Sequence, residues 1–224
     1  MTTRRAALAC LAAAAMAALG APVLAAAADA DADQVAFFRA VAIDDARTVK
    51  AVLGRGLDPN LHEPERGETG LIIAMRYDAM QVAHVLLAHP KLKVDQPSSN
   101  GNTALMMAAF QKNKPAVLAL LEKGAQVNRP GWTALHYAAA AGERDIVKLL
   151  LARHAYIDAA SPTGTTALML AAREGQEEVV KLLLEEGADA ALKDQAWHED
   201  AAQFAIRAQK PWIAEQIRKH LGRK

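Results

Sequence analysis

From residue 69 onward the apolar positions recur in a fixed order. A threonine opens a short run of small and aliphatic residues, a glycine or polar pair interrupts it, and a Val/Leu stripe follows. Thr133-Ala134-Leu135-His136-Tyr137-Ala138-Ala139 leads through Gly142 to Ile146, Val147 and Leu149-Leu150-Leu151. Thr166-Ala167-Leu168-Met169-Leu170-Ala171-Ala172 leads through Gly175 to Val179, Val180 and Leu182-Leu183-Leu184. The same frame holds at Thr103 and, with Gly70 in place of the alanine, at Thr69. Spacings of three and four residues within each half predict two short amphipathic helices per unit. The leading threonine predicts an N-cap, because its hydroxyl can accept from free backbone N–H groups of the first turn.

Two degenerate copies flank these four. Val35, Phe37 and Ala40 take the first-helix positions at one end, and Asp200, Ala202 and Ala205 at the other. Asp200 replaces the threonine by another good cap. The six units start near 35, 69, 103, 133, 166 and 200 and are numbered one to six below. Four endings are alike: Gly56-Leu57-Asp58-Pro59-Asn60, Gly124 to Asn128, His154 to Asp158, and Gly187 to Ala190. Short polar links follow. One unit cannot bury its own apolar face, so the units must stack.

A unit of about 33 residues built of Thr-x-Leu-His-x-Ala-Ala, a glycine, a Val/Leu helix and Gly-Ala-Asp-x-Asn resembles the ankyrin repeat, over about residues 33–221. The expected fold is all-α: an ankyrin-repeat solenoid of about six helix-pair units with short β-turn fingers. Phe37 and Phe38 have no counterparts in later units, and at least one is expected to cover the first inter-helix groove. Trp197 and Trp212 are expected to pack into the last unit.

The first thirty residues differ. Arg4 and Arg5 precede an Ala/Leu run from Ala6 to Leu19, then Gly20-Ala21-Pro22 and a string of small residues. That is the layout of a secretory signal peptide over residues 1–28, cleaved between Ala25 and Ala30 and most simply after Ala28. A membrane anchor is disfavoured, because the run is short, mostly alanine and broken by Gly and Pro. Thr3-Arg4-Arg5 with Leu8 resembles a twin-arginine signal, with Ala7 where an aromatic belongs. Cys10 precedes most of the apolar run, which does not suit a lipoprotein. A periplasmic or secreted location is therefore expected, with residues 29–224 as the repeat domain and no membrane attachment after cleavage.

Composition narrows the chemistry. The 224 residues carry a net charge of +1, which becomes −1 when residues 1–28 leave with Arg4 and Arg5 and no acid. No basic field for nucleic acid remains. The single cysteine, Cys10, leaves no thiol beyond it, and the serines are Ser98, Ser99 and Ser161. Nucleophilic catalysis and Cys-based metal sites lose their usual residues. His136 stands where Met106, Met169 and Ile72 stand elsewhere, which favours structural hydrogen bonding over catalysis. No histidines have the i, i+4 spacing of a zinc helix. His84 and His89 with Asp78 fit a solvated helix end better than a ligand set. No cofactor, metal or enzymatic activity is expected.

The resemblance implies protein binding, through fingers and the first helices of a curved stack. Glu68, Asn102, Trp132 and Thr165 on the fingers, and Arg76, Tyr77, Phe110, Gln111, Tyr137, Ala140, Ala141, Arg173 and Glu174 on the inner helices, are expected to face solvent there. Arg76, Tyr77, Phe110, Gln111, Trp132, Tyr137, Arg173 and Glu174 are the candidate partner-binding residues, rich in the aromatics and arginines enriched at hot spots. The expected role is a monomeric, non-catalytic interaction module or scaffold for another protein. The alternative is an inhibitor or immunity-type protein blocking one periplasmic enzyme through the same surface. The link Arg129-Pro130-Gly131-Trp132 is about three residues shorter than its neighbours and predicts a rigid notch near the middle of the finger row.

Overall fold

The computed structural model describes residues 31–222. The expected signal peptide and its cleavage site lie outside the described residues. Twelve helices succeed one another among the described residues: α1 over 31–42, α2 Ala46–Gly54, α3 Gly70–Arg76, α4 Met80–Ala88, α5 Ala104–Phe110, α6 Lys114–Glu122, α7 Ala134–Ala141, α8 Arg144–Ala152, α9 Ala167–Glu174, α10 Glu177–Glu185, α11 Ala201–Arg207 and α12 Pro211–Leu221. The odd-numbered helices from α3 to α11 pack side by side as an inner row, and the even-numbered helices from α2 to α12 as an outer row. The sole β-bridge among the described residues joins His62 to Thr69 at the base of one finger. None of the described helices is long and apolar enough to cross a membrane.

The caps set the helix starts. The hydroxyl of Thr69 accepts from Ile72 N–H, that of Thr103 from Met106 N–H and that of Thr166 from Met169 N–H, and the carboxylate of Asp200 accepts from Gln203 N–H. Each satisfies a donor that the helix itself leaves free. Alanines then let inner helices close on one another: Ala104, Ala108, Ala109, Ala134, Ala138, Ala139, Ala167, Ala171 and Ala172 are all buried. The outer-row stripe of Val117, Leu120, Ile146, Val147, Leu150, Val180 and Leu183 is fully buried behind them. Burial of this kind contributes about 25 cal/mol per Å² of apolar surface, so stacking, not intrinsic helix propensity, carries these helices of two turns or so.

Backbone links between units run through the closing Asn and Asp residues. Asn60 donates to the Lys91 carbonyl (2.9 Å) and accepts from Lys93 N–H (2.7 Å). Asn128 repeats this with the His154 carbonyl and Tyr156 N–H, both at 2.8 Å. Asp95 accepts from Gln126 N–H and Asp158 from Asp189 N–H. Asp44 caps the outer helix of the next unit, accepting from Val82 N–H at 2.9 Å; α4 has no side-chain cap of its own.

At one end Phe37 is fully buried and covers the first groove, and α1 runs through Val35, the first position of the repeat frame, which is 69% exposed. At the other end the expectation fails. Trp197 and Trp212 are 58% and 51% exposed instead of packed into the last unit. Trp197 sits edge-on to Phe204 with the Arg207 guanidinium 4.0 Å above its ring, so it is held from outside by a cation–π contact.

Candidate functional site

Four of the five fingers are built alike. The residue five or six before the cap donates its N–H to the carbonyl of the residue just before the cap. These bonds are Glu63 to Glu68 (2.9 Å), Ser98 to Asn102 (2.9 Å), Ser161 to Thr165 (2.9 Å) and Asp194 to Glu199 (3.0 Å). The same residue organises the loop with its side chain. Glu63 accepts from the N–H groups of Glu65, Arg66 and Glu68, Ser161 from those of Thr163 and Thr165, and Asp194 from those of Ala196, Trp197 and Glu199. Neighbouring fingers are also tied together, Ser99 N–H to the Arg66 carbonyl at 3.1 Å and Gln195 N–H to the Thr163 carbonyl at 2.8 Å.

The finger of unit four is the exception. Arg129 to Trp132 is too short to close the same loop, and no such reversal bond forms there among the described residues. Gly131 turns the chain at φ 82°. The finger row is therefore two hydrogen-bonded pairs flanking a gap.

At that gap lies a cleft of about 190 Å³, lined by Phe110, Trp132, His136, Tyr137, Ala140, Leu170 and Arg173. Its walls are fixed from below. His136 Nδ1 accepts from the Thr133 N–H (3.2 Å) and hydroxyl (2.9 Å), so the ring proton sits on Nε2, which donates to the Thr165 carbonyl of the next unit at 3.0 Å. Burial holds the imidazole below its ordinary pKa, outweighing its bonds to backbone. This is a structural histidine. Trp132 stands edge-on to His136 with centroids 5.3 Å apart, and Phe110 edge-on to Tyr137 at 6.1 Å. The Tyr137 hydroxyl donates to Asn102 Oδ1 at 2.7 Å. Burial raises the Tyr137 pKa, partly offset by the Arg76 charge.

Of the eight candidate residues, Phe110, Trp132, Tyr137 and Arg173 meet at this cleft. Tyr77, Phe110, Gln111, Arg173 and Glu174 are exposed, and Trp132, Tyr137 and Arg76 half-buried. Arg76 is engaged by the Glu68 carboxylate, Gln111 donates to the Arg76 carbonyl at 2.6 Å, and Arg173 pairs with Glu174 at 2.9 Å. Three residues expected to face solvent do not. Glu68 is buried because its carboxylate turns inward to Arg76, Thr165 because its hydroxyl joins that of Thr163 and its N–H donates to Ser161 Oγ, and Ala141 because the end of α7 packs down. Glu63 and Asp194, which shape the loops, escaped the sequence reading; their signal is an acid or serine at a constant five or six residues before the cap. His84 is exposed on α4 and His89 Nδ1 accepts from Lys91 N–H.

The sequence profile described as ankyrin repeats (3 copies) matches residues 37–130 and 127–194. This chain belongs to the ankyrin-repeat family. It is 36% identical over 120 residues to SH3 and multiple ankyrin repeat domains protein 2 of Homo sapiens, covering 52% of this chain and 6% of that protein. It is 34% identical over 115 residues to transient receptor potential cation channel subfamily A member 1 of Homo sapiens, covering 50% of this chain and 10% of the channel. The chain thus spans a small part of these curated relatives. Ankyrin repeats generally mediate protein–protein interaction and are typically non-catalytic scaffolds.

Proposed function

We propose that the mature chain is a periplasmic or secreted protein-binding module that takes its partner on the face formed by the fingers and inner helices. One observation carries this reading: Phe110, Trp132, Tyr137 and Arg173, residue types that dominate binding energy, converge on one open cleft at the break in the finger row. Two of its aromatic walls are held, Trp132 by its edge-on contact with the buried His136 and Tyr137 by its hydrogen bond to Asn102, so little side-chain freedom is lost when a partner docks. Residues 1–28 supply the export signal.

Two measurements test the proposal. N-terminal sequencing of protein from the periplasm or medium should begin between residues 26 and 31; intact Met1 in a membrane or cytoplasmic fraction overturns the location. The mature protein, carrying a photo-crosslinker at Tyr77, should capture one protein from periplasmic extract, with capture lost in Phe110→Ala/Arg173→Gln. Capture unaffected by that double substitution places binding elsewhere and overturns the assignment of the face.

A further inference from the structure

Two columns of residues run along the finger face. The residues just before the caps are Glu68, Asn102, Trp132, Thr165 and Glu199 in units two to six, and those seven after the caps, last or next to last in the inner helices, are Arg76, Phe110, Ala140, Arg173 and Arg207. In units two and six the columns neutralise each other: Glu68 binds Arg76 and Glu199 binds Arg207. In unit five the arginine remains but the acid is Thr165, whose hydroxyl and N–H are bonded within its own finger. Arg173 is left with Glu174, its sequence neighbour, in an exposed pair. Exposed pairs contribute little and exchange readily.

Unit four breaks the second column in another way. Ala140 stands between Phe110 and Arg173, so the column loses a side chain where the finger above is also shortest. The resulting space, about 190 Å³ and walled by Phe110, Trp132, Tyr137 and Leu170, is below the range of small-molecule and cofactor pockets. It suits one apolar side chain, up to a phenyl ring.

Resting on the protein-binding reading above, we infer that the Ala140 gap and Arg173 form a two-part receptor for an extended protein segment in which an apolar side chain adjoins an aspartate or glutamate. The apolar side chain fills the gap over Ala140. The carboxylate takes the place that Glu68 and Glu199 hold in their own units, forming a charge-assisted bond to the Arg173 guanidinium.

The test uses a phage-displayed library of random heptapeptides selected on the mature protein. Selected peptides should carry a Phe, Leu, Ile or Met next to an acid. Ala140→Leu should weaken a synthetic selected peptide by about tenfold or more. Arg173→Gln should weaken it similarly while leaving its amide (Asn or Gln) version unchanged, with thermal melting reporting that both variants fold. Should Ala140→Leu fail to fold, the emission of Trp132, read in a chain carrying Trp197→Phe and Trp212→Phe, should shift to the blue on peptide addition. Peptides without acidic preference, peptides indifferent to Ala140→Leu, an unchanged Trp132 spectrum, or a library that yields no binder overturns the inference. Peptides lost on Tyr77→Ala or Gln111→Ala but indifferent to Ala140→Leu and Arg173→Gln leave the binding face standing and remove only the receptor.

Discussion

The ring of Phe37 occupies the space that a Cβ on Gly70 would need. A methyl group there would lie 2.6 Å from Cζ and 2.7 Å from Cε1 of the ring. Every other inner helix from α5 to α11 starts with alanine at this position: Ala104, Ala134, Ala167 and Ala201. The glycine is therefore paired with the phenylalanine that packs against it. Gly70→Ala should destabilise the N-terminal units by about 1–3 kcal/mol, as overpacking does. Combining it with Phe37→Leu should recover part of that loss, a coupling measurable by a double-mutant cycle in urea. Additive effects would show that the ring and the glycine are independent.

The turn between the two helices of each unit is left-handed throughout: Asp44 (φ 57°), Asp78 (56°), Lys112 (63°), Gly142 (83°), Gly175 (77°) and Gln209 (61°). Lysine has no local hydrogen-bonding compensation for that conformation, unlike aspartate. Its ammonium lies 3.9 Å from Glu143 in an exposed pair, which contributes little. Lys112→Gly should raise stability by about 0.5–1 kcal/mol, read as a higher urea midpoint with unchanged slope. A loss of stability would mean that the pair or the unfolded-state entropy of glycine outweighs the relieved strain.

The framework was open to sequence reading because each unit repeats the same local chemistry. Thr69, Thr103, Thr166 and Asp200 cap as their side chains dictate, and the alanines and leucines bury where a 3.6-residue period puts them. Binding candidates were partly legible for the opposite reason. Trp132 and Phe110 stand out as exceptions to the repeat, and the three-residue deletion marks the gap. Glu68 and Thr165 misled because a polar residue next to a cap looks solvated until its partner across the unit is known; Arg76 lies eight residues away and Ser161 four. Trp197 and Trp212 failed in the last unit, where Trp197 lies on the outside against Phe204 and the Arg207 guanidinium.

Leu150 lies in the middle of the outer row with no exposed surface. Its truncation leaves a cavity between α8 and its neighbours, costing about 2–5 kcal/mol. Because each unit contacts only its neighbours, the loss falls on the junction of units three to five. Leu150→Ala should split the single unfolding transition into two, with Trp132 emission following one half and far-ultraviolet dichroism both. A single transition shifted by less than about 1 kcal/mol would place Leu150 outside the packed core.

His136 joins units four and five through its Nε2–H bond to the Thr165 carbonyl, and it does so as the neutral ring. Burial holds its native pKa below the ordinary histidine value. The sign follows. As pH falls below about 6.5, the unfolded chain takes up a proton at this ring before the native state does, so the unfolded state gains and stability drops. Above that value the contribution of the neutral ring is fully present. Met106 and Met169 fill the same position in units three and five, and Met169 sulfur lies 3.4 Å from the Thr166 N–H, so His136→Met is tolerated by the fold and cannot titrate. At pH 8 the variant should be less stable by about 0.5–1.5 kcal/mol, the net value of a lost hydrogen bond. Between pH 6.5 and 5 its disadvantage should shrink, because only the native protein with histidine carries the cost of a ring that must stay neutral. Urea unfolding of both proteins across pH 8 to 5 reads the difference directly, and subtraction removes the other histidines. A difference that stays constant with pH would show that His136 is protonated as easily in the folded stack as in the unfolded chain.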